Sequence, residues 1–296
     1  MVLKHINELG YKPQKKHKGK NVRDLVMIAS GLLTSPIHIA IIESIVKEIE
    51  GNGFKAMISY NGFDTYRLEE YLLYARDRDF AGVVIIGFIE TPKLVSCLRT
   101  MKCPIVLFNQ DFKGIDVDVV GLDDYSGGYI AAKYLIERGH KRIGLLMGFA
   151  KATASFKREI GFRDALKDYG LKIKDSDIFY GDFTEKSGEE YADKILKRKD
   201  GITGIVSCND LMSVGFINRF AKSGHSIPED MSIIGFDDSL LINILTTKLT
   251  TVNYDFSLIG KTAANMILDS INNPYNPKRK ISFSPTLIER DSVKII

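Results

Sequence analysis

The chain has 296 residues, 45% of them hydrophobic and 26% charged, the make-up of an ordinary globular protein. No apolar run approaches the roughly 18 residues of a membrane helix. The N-terminus has no apolar stretch that would read as a signal peptide. Three cysteines (Cys97, Cys103 and Cys208) are an odd number without metal spacing and read as reduced thiols, so the expected location is the cytoplasm, with no membrane and no metal. A chain of this length is expected to divide into two lobes.

The net charge of +4 is uneven. Residues 1–23 carry seven lysines and arginines against Glu8, while the remainder carries 34 basic and 36 acidic residues. A short basic arm on a near-neutral body fits contact with a polyanion, or a solvated tail.

In chain order, Leu25-Val26-Met27-Ile28-Ala29 reads as a buried strand and 37–50 as an amphipathic helix. A strand at 55–59, a helix at 65–78, a strand at 82–86, a helix at 92–100 opened by Pro92 and a strand at 104–108 follow. The stretch from Asn109 to Val117 is polar and lacks a helical pattern. A strand then ends at Asp123-Asp124, and the alternation restarts. Helices at 125–138, 155–168, 184–199 and 211–223 alternate with strands at 142–147, 177–180, 204–207 and 232–236. Apolar strands alternating with amphipathic helices mean parallel sheets covered on both faces. Two such series predict an α/β fold of two doubly wound lobes rather than one barrel.

Ligands of open parallel sheets sit beyond the carboxyl ends of the strands. The post-strand residues here are Ser30 to His38, Tyr60-Asn61, Asn109-Gln110, Gly148 to Arg158, Asp182-Phe183, Cys208-Asn209-Asp210 and Asp237-Asp238. Their amides, carboxylates and aromatics suit a small polar ligand. Asp124 and Asp210 read as helix caps rather than ligand contacts. Phosphate-loop, zinc-protease, nucleophile-elbow and Cys-x-x-Cys signatures do not occur, the five histidines do not cluster, and Asp237-Asp238 is a weak acid–base pair; no enzyme is expected.

Six segments in order carry a resemblance over nearly the whole chain. They are Val119 to Asp124 with Gly139-His140-Lys141-Arg142-Ile143, Arg158-Glu159-Ile160-Gly161-Phe162-Arg163-Asp164-Ala165-Leu166, Gly181-Asp182-Phe183, Asn209-Asp210-Leu211-Met212-Ser213-Val214-Gly215, Ile227-Pro228 through Gly235-Phe236-Asp237-Asp238, and Leu249-Thr250-Thr251-Val252. Together they resemble the LacI/GalR family of bacterial transcriptional regulators. The resemblance implies a periplasmic-binding-protein-like frame with three crossings between lobes, near 121, 254 and 284. It divides the chain into 1–21, a residual headpiece helix and basic linker; 22–121 plus 255–284, the first effector-binding lobe; and 122–254 plus 285–296, the second.

The resemblance also implies ligand-binding roles. Arg158 would supply a guanidinium to ligand hydroxyls or a carboxylate, Asp237 would accept from hydroxyls, Asn209 would donate and accept, and Phe183 would stack. In the first lobe Ser35-Pro36-Ile37-His38 occupies the family's Asn-Pro-aromatic-aromatic turn, so Ser35 and His38 become candidates beside Asn109, which stands where the family often has Asp. His38 reads equally as a helix N-terminal residue without ligand contact. Ala152 stands near a position that is Arg in purine-binding members, which argues against a purine. The expected effector is a mono- or disaccharide, with or without phosphate; no cofactor is expected. The alternative is a stand-alone sugar-binding protein of the periplasmic type.

Residues 2–13 resemble the third helix of the family's DNA-binding headpiece, and the preceding helix-turn-helix is absent. Operator DNA would be a partner through that headpiece. With the basic arm alone, weak and salt-sensitive DNA binding is expected. The resemblance implies a homodimer through first-lobe elements; Ile41, Ile42, Ile45 and Val46 offer more apolar surface than one helix face needs, though a helix packed on both sides would look the same.

Overall fold

A computed structural model describes residues 24–112, 114–150, 152–198 and 201–296. The basic arm, and the segment expected to resemble a headpiece helix, lie outside these residues. Strands β1 (Leu25–Ser30), β2 (Lys55–Tyr60), β3 (Gly82–Ile86), β4 (Ile105–Phe108), β5 (Asp118–Leu122) and β11 (Lys280–Phe283) form one sheet in the order β11-β5-β4-β3-β1-β2. Every pairing in it is parallel.

Both faces of that sheet are covered, which is why its strands are continuously apolar. Along β1, Val26 and Ile28 pack into one core while Met27 and Ala29 pack into another. Helices α1 (Pro36–Gly51) and α8 (Phe256–Asn272) cover the first face; α2 (Thr65–Asp77) and α3 (Pro92–Arg99) cover the second. The Thr91 hydroxyl accepts from Leu94 N–H at 3.1 Å and opens α3 just before Pro92. The apolar surplus of α1 has an explanation inside the chain. Ile41, Ile42 and Ile45 are buried, and a Cβ on Gly260 of α8 would lie 2.6 Å from the Ile41 carbonyl. The helix is packed on two sides, so those residues are no evidence for a dimer.

Strands β6 (Ile143–Met147), β7 (Ile178–Tyr180), β8 (Gly204–Ser207), β9 (Ser232–Phe236), β10 (Thr250–Asn253) and β12 (Thr286–Ile288) form the second sheet, in the order β12-β10-β9-β8-β6-β7. Only β12 runs antiparallel there. Helices α4 (Asp124–Glu137) and α5 (Thr153–Asp168) pack as a pair, as do α6 (Glu185–Leu196) and α7 (Asp210–Lys222). Glycines set both contacts. A Cβ on Gly128 of α4 would meet the Arg158 carbonyl at 2.0 Å, and one on Gly161 of α5 would meet the Tyr125 carbonyl at 1.9 Å. Gly188 and Gly215 repeat the arrangement between α6 and α7.

The fold is therefore α/β with two doubly wound, parallel-dominated sheets, as the alternation of elements predicts. The chain leaves the first sheet after β5, returns through α8 and crosses again between β11 and β12. Two capping expectations are corrected. Asp123, not Asp124, caps α4, accepting from Ser126 N–H at 3.0 Å. Asn209, not Asp210, caps α7, accepting from Met212 N–H at 2.9 Å. Each second acidic residue lies inside its helix and is fully buried. Among the described residues, no helix is long and apolar enough to cross a membrane, and no group of His, Cys, Asp and Glu could hold a metal.

Candidate ligand-binding cleft

The carboxyl ends of the two sheets face a shared cavity of about 240 Å³. Ser35, His38 and Asn109 line it from the first lobe; Arg158, Phe183, Asn209 and Asp237 line it from the second. All seven candidates from the sequence thus border one space. Each is delivered by a turn that follows a strand, or by the first turns of the helix after it.

A buried charge cluster forms the floor. Asp124 accepts Arg158 Nε at Oδ1 (2.7 Å) and Asn109 Nδ2 at Oδ2 (2.8 Å). Asn109 belongs to the turn after β4 and also takes Leu122 N–H at its Oδ1 (2.9 Å). Arg158 Nη1 donates to the Cys208 carbonyl, and the guanidinium lies 3.8 Å from the centre of the Phe236 ring. Nη1 is also 4.0 Å from Asp237 Oδ1. Burial alone would lower the arginine's pKa, but Asp124 foremost, with Asp237, holds it above its ordinary value, so it stays charged.

Asp237 is the contrasting member. Its N–H donates to the Val252 carbonyl at 2.7 Å, and its backbone is left-handed at φ 104°. It is buried, yet Oδ1 has no hydrogen-bond partner among the described residues. Burial pushes its pKa well up; Arg158 opposes this, and the nearby Asp210 and Asp124 reinforce it. Asp210 itself accepts Ser239 N–H (2.7 Å) and the Thr251 hydroxyl (2.8 Å), and burial pushes it up to about 7. That oxygen is closed off from solvent and lies within ion-pair reach of Arg158, while the residue itself borders the cavity.

Phe183 is also left-handed, at φ 66°. Its ring lies against Gly148, where a Cβ would come within 2.0 Å of it, and meets Phe149 edge-on at 5.7 Å. Asn209 holds this turn, donating from Nδ2 to the Phe183 carbonyl at 3.0 Å while capping α7 with Oδ1. Both ends of its amide are occupied within the protein, so it orders the aromatic turn as well as bordering the cavity. His38 bonds through Nδ1 to the Leu32 carbonyl at 3.0 Å, and burial pushes its pKa down to about 4. The ring is neutral at pH 7 with Nδ1 as donor, which leaves Nε2 as an acceptor. Ser35 precedes α1 but makes no side-chain capping bond.

Sequence reasoning missed Phe63, Phe88 and Ser239, which also line the cavity. Phe63 and Phe88 lie only two or three residues beyond β2 and β3, so the post-strand rule could have reached them with a wider window. Tyr60 and Asn61, which that rule did select, are not among the residues lining it.

Two lobes around a polar and aromatic cleft define a small-molecule-binding protein of the two-lobed type. Residues 132–293 match the periplasmic binding protein-like domain, and the chain belongs to that family. Its relatives are transcriptional regulators, not enzymes. The NTD biosynthesis operon regulator NtdR of Bacillus subtilis (strain 168) is 29% identical over 99% of this chain and 89% of its own length. The HTH-type transcriptional repressor PurR of Pasteurella multocida (strain Pm70) is 28% identical over 99% of this chain and 89% of its own. The transcriptional regulator CelR, solved as its cellobiose complex, superposes with a TM-score of 0.82 at 26% identity, over 98% of this chain and 89% of that one.

Proposed function

We propose that the chain is the effector-binding and dimerisation region of a LacI-type transcriptional regulator, sensing a mono- or disaccharide between its lobes. The observation that carries this reading is the convergence of Arg158, Asp237 and Phe183 on one cavity. A saccharide presents vicinal hydroxyls to a cation and a carboxylate, and a C–H face to an aromatic ring. The cellobiose in the CelR complex supports the choice of ligand class. The DNA-binding regulators among the relatives favour this role, with operator DNA as a partner and the cytoplasm as its location, over a stand-alone periplasmic-type binder.

In this reading the lobes are 22–121 plus 255–284 and 122–254 plus 285–296, with Ser35, His38, Asn109, Arg158, Phe183, Asn209 and Asp237 contacting the effector. A second copy would cover the first-lobe edge, where Ile39, Ile58, Tyr66, Leu73 and Tyr74 are exposed. The test is calorimetry of wild type, Arg158→Ala and Asp237→Ala against sugars, sugar phosphates and purines. Each substitution should weaken saccharide binding by roughly 2–5 kcal/mol, as for truncating one partner of a buried charged pair. Binding of a purine alone, or equal sugar binding by all three proteins, would overturn the assignment.

A further inference from the structure

The chain crosses between the two sheets three times: from β5 into α4, from β10 into α8, and from β11 into β12. Backbone contacts tie the third crossing to the other two. Asp123 N–H donates to the Phe283 carbonyl at 2.9 Å, and Asn253 of β10 pairs with Thr286 of β12. The first and second crossings are joined through a side chain. The Tyr254 hydroxyl donates to the Asp123 carbonyl at 3.0 Å. Residue 123 thus meets both of the other crossings, and the triangle closes on one hydroxyl.

The packing around that hydroxyl links it to the cleft. Tyr254 is 2% exposed, and a Cβ on Gly127 would lie 2.8 Å from its oxygen, so the glycine lets the ring reach α4. Burial pushes the phenol's pKa up, so it stays protonated and donates. The Asp123 carbonyl also accepts Gly127 N–H at 3.0 Å, so it keeps a partner when the hydroxyl is removed. The Tyr254 ring lies 6.0 Å from Phe256, the first residue of α8, and 6.1 Å from Phe236 at the end of β9. Phe236 has the Arg158 guanidinium 3.8 Å from its ring centre and is followed by Asp237. One ring therefore separates the tyrosine at the crossings from two residues that border the cavity.

We infer that Tyr254 is a positioning residue for the cleft: its hydroxyl fixes the first crossing against the second, and with them the two walls that meet a ligand. Tyr254 is not among the residues lining the cavity and acts through Asp123 and Phe236. A ligand that touches both walls gains fully from both where their spacing is already set, which is the advantage of preorganisation. The inference rests on ligand binding between the lobes and not on which ligand binds.

The test compares Tyr254→Phe with Tyr191→Phe. Tyr191 is the matched control: it is buried, and its hydroxyl donates to the Asp177 carbonyl at 3.1 Å, away from the crossings. Both variants should lower the melting temperature by roughly 2–4 °C, the effect of losing one internal hydrogen bond. Hydrogen–deuterium exchange of the free proteins should be at least about threefold faster in Tyr254→Phe than in Tyr191→Phe at the amides of 122–127, 253–256, 283, 284 and 286, while β6 and β8 exchange alike in the two. Calorimetry is run with cellobiose, ribose and glucose. Tyr254→Phe should bind the tightest of them about three- to tenfold more weakly than wild type, and Tyr191→Phe should stay within about twofold. Equal exchange at the crossings in the two variants, unchanged sugar affinity in Tyr254→Phe, or an equal loss in both overturns the inference and leaves the saccharide reading standing. If no sugar binds wild type, the saccharide reading falls, and the exchange comparison alone decides the role of Tyr254.

Discussion

Arg158 Nε donates to Asp124 Oδ1 at 2.7 Å, and both side chains are buried. The other oxygen of the same carboxylate takes the Asn109 amide from the turn after β4. The residue that orients the cleft arginine is thus also tied to the first lobe. Ligand contact at Arg158 would reach the lobe junction through a single side chain.

Asp124→Asn should therefore destabilise the protein strongly, because it leaves a buried guanidinium short of charge. Removal of one partner of such a pair costs roughly 3–5 kcal/mol. Asp237, 4.0 Å from Nη1, compensates in part, so the lower end is expected. Urea denaturation of wild type and variant measures it. A loss below about 1 kcal/mol would show that the pair is not holding the arginine.

Gly161→Ala should disturb the site from a distance. The new methyl would press on the Tyr125 carbonyl of α4, so α4 and α5 must separate. Overpacking of this kind costs about 1–3 kcal/mol. Because Arg158 is one turn away on α5, effector affinity should fall as well. Thermal melts and calorimetry together check both effects; unchanged affinity in a destabilised variant would separate the helix contact from the site.

His38 gives a pH signature. Its folded pKa is depressed from 6.5 to about 4 by burial, so the folded state holds fewer protons than the unfolded chain between those values. Its contribution to stability is complete above pH 6.5 and is lost as pH falls toward 4. His38→Asn keeps a donor for the Leu32 carbonyl but has no group that titrates there. The variant should be less stable than wild type at pH 7.5, and the gap should narrow as pH falls from 6.5 to 4. Melting temperatures of the pair across that range decide it. Comparison with the variant matters because Asp210, raised to about 7, works in the opposite direction over the same range.

Much of this fold was legible because doubly wound lobes write their strands as short apolar runs, such as Val83-Val84-Ile85-Ile86. The parts not legible by periodicity lack that signal. β11 and β12 are edge strands with exposed residues, including Lys280, Ile281 and Thr286. The return of α8 to the first sheet is a long-range fact that no local pattern contains. In the cleft, the turn residues followed from the ends of the strands. Their hydrogen-bond partners did not: Asp123-Asp124 and Asn209-Asp210 each offer two adjacent capping candidates, and only the backbone geometry decides which one caps and which turns inward. Phe63 and Phe88 read as core residues in the sequence; Phe88 does pack into the core against Phe112, and both border the cleft because of the turns that carry them.

A saccharide bound between the lobes must protect both of them at once. Hydrogen–deuterium exchange with and without the tightest sugar or sugar phosphate tests this directly. The expected result is slowed exchange in two separate sets of amides: 35, 37–39 and 109–110 from the first lobe, and 153–156, 183–184 and 237–239 from the second. Protection confined to one lobe, or lying outside these turns, would contradict ligand binding in the inter-lobe cleft.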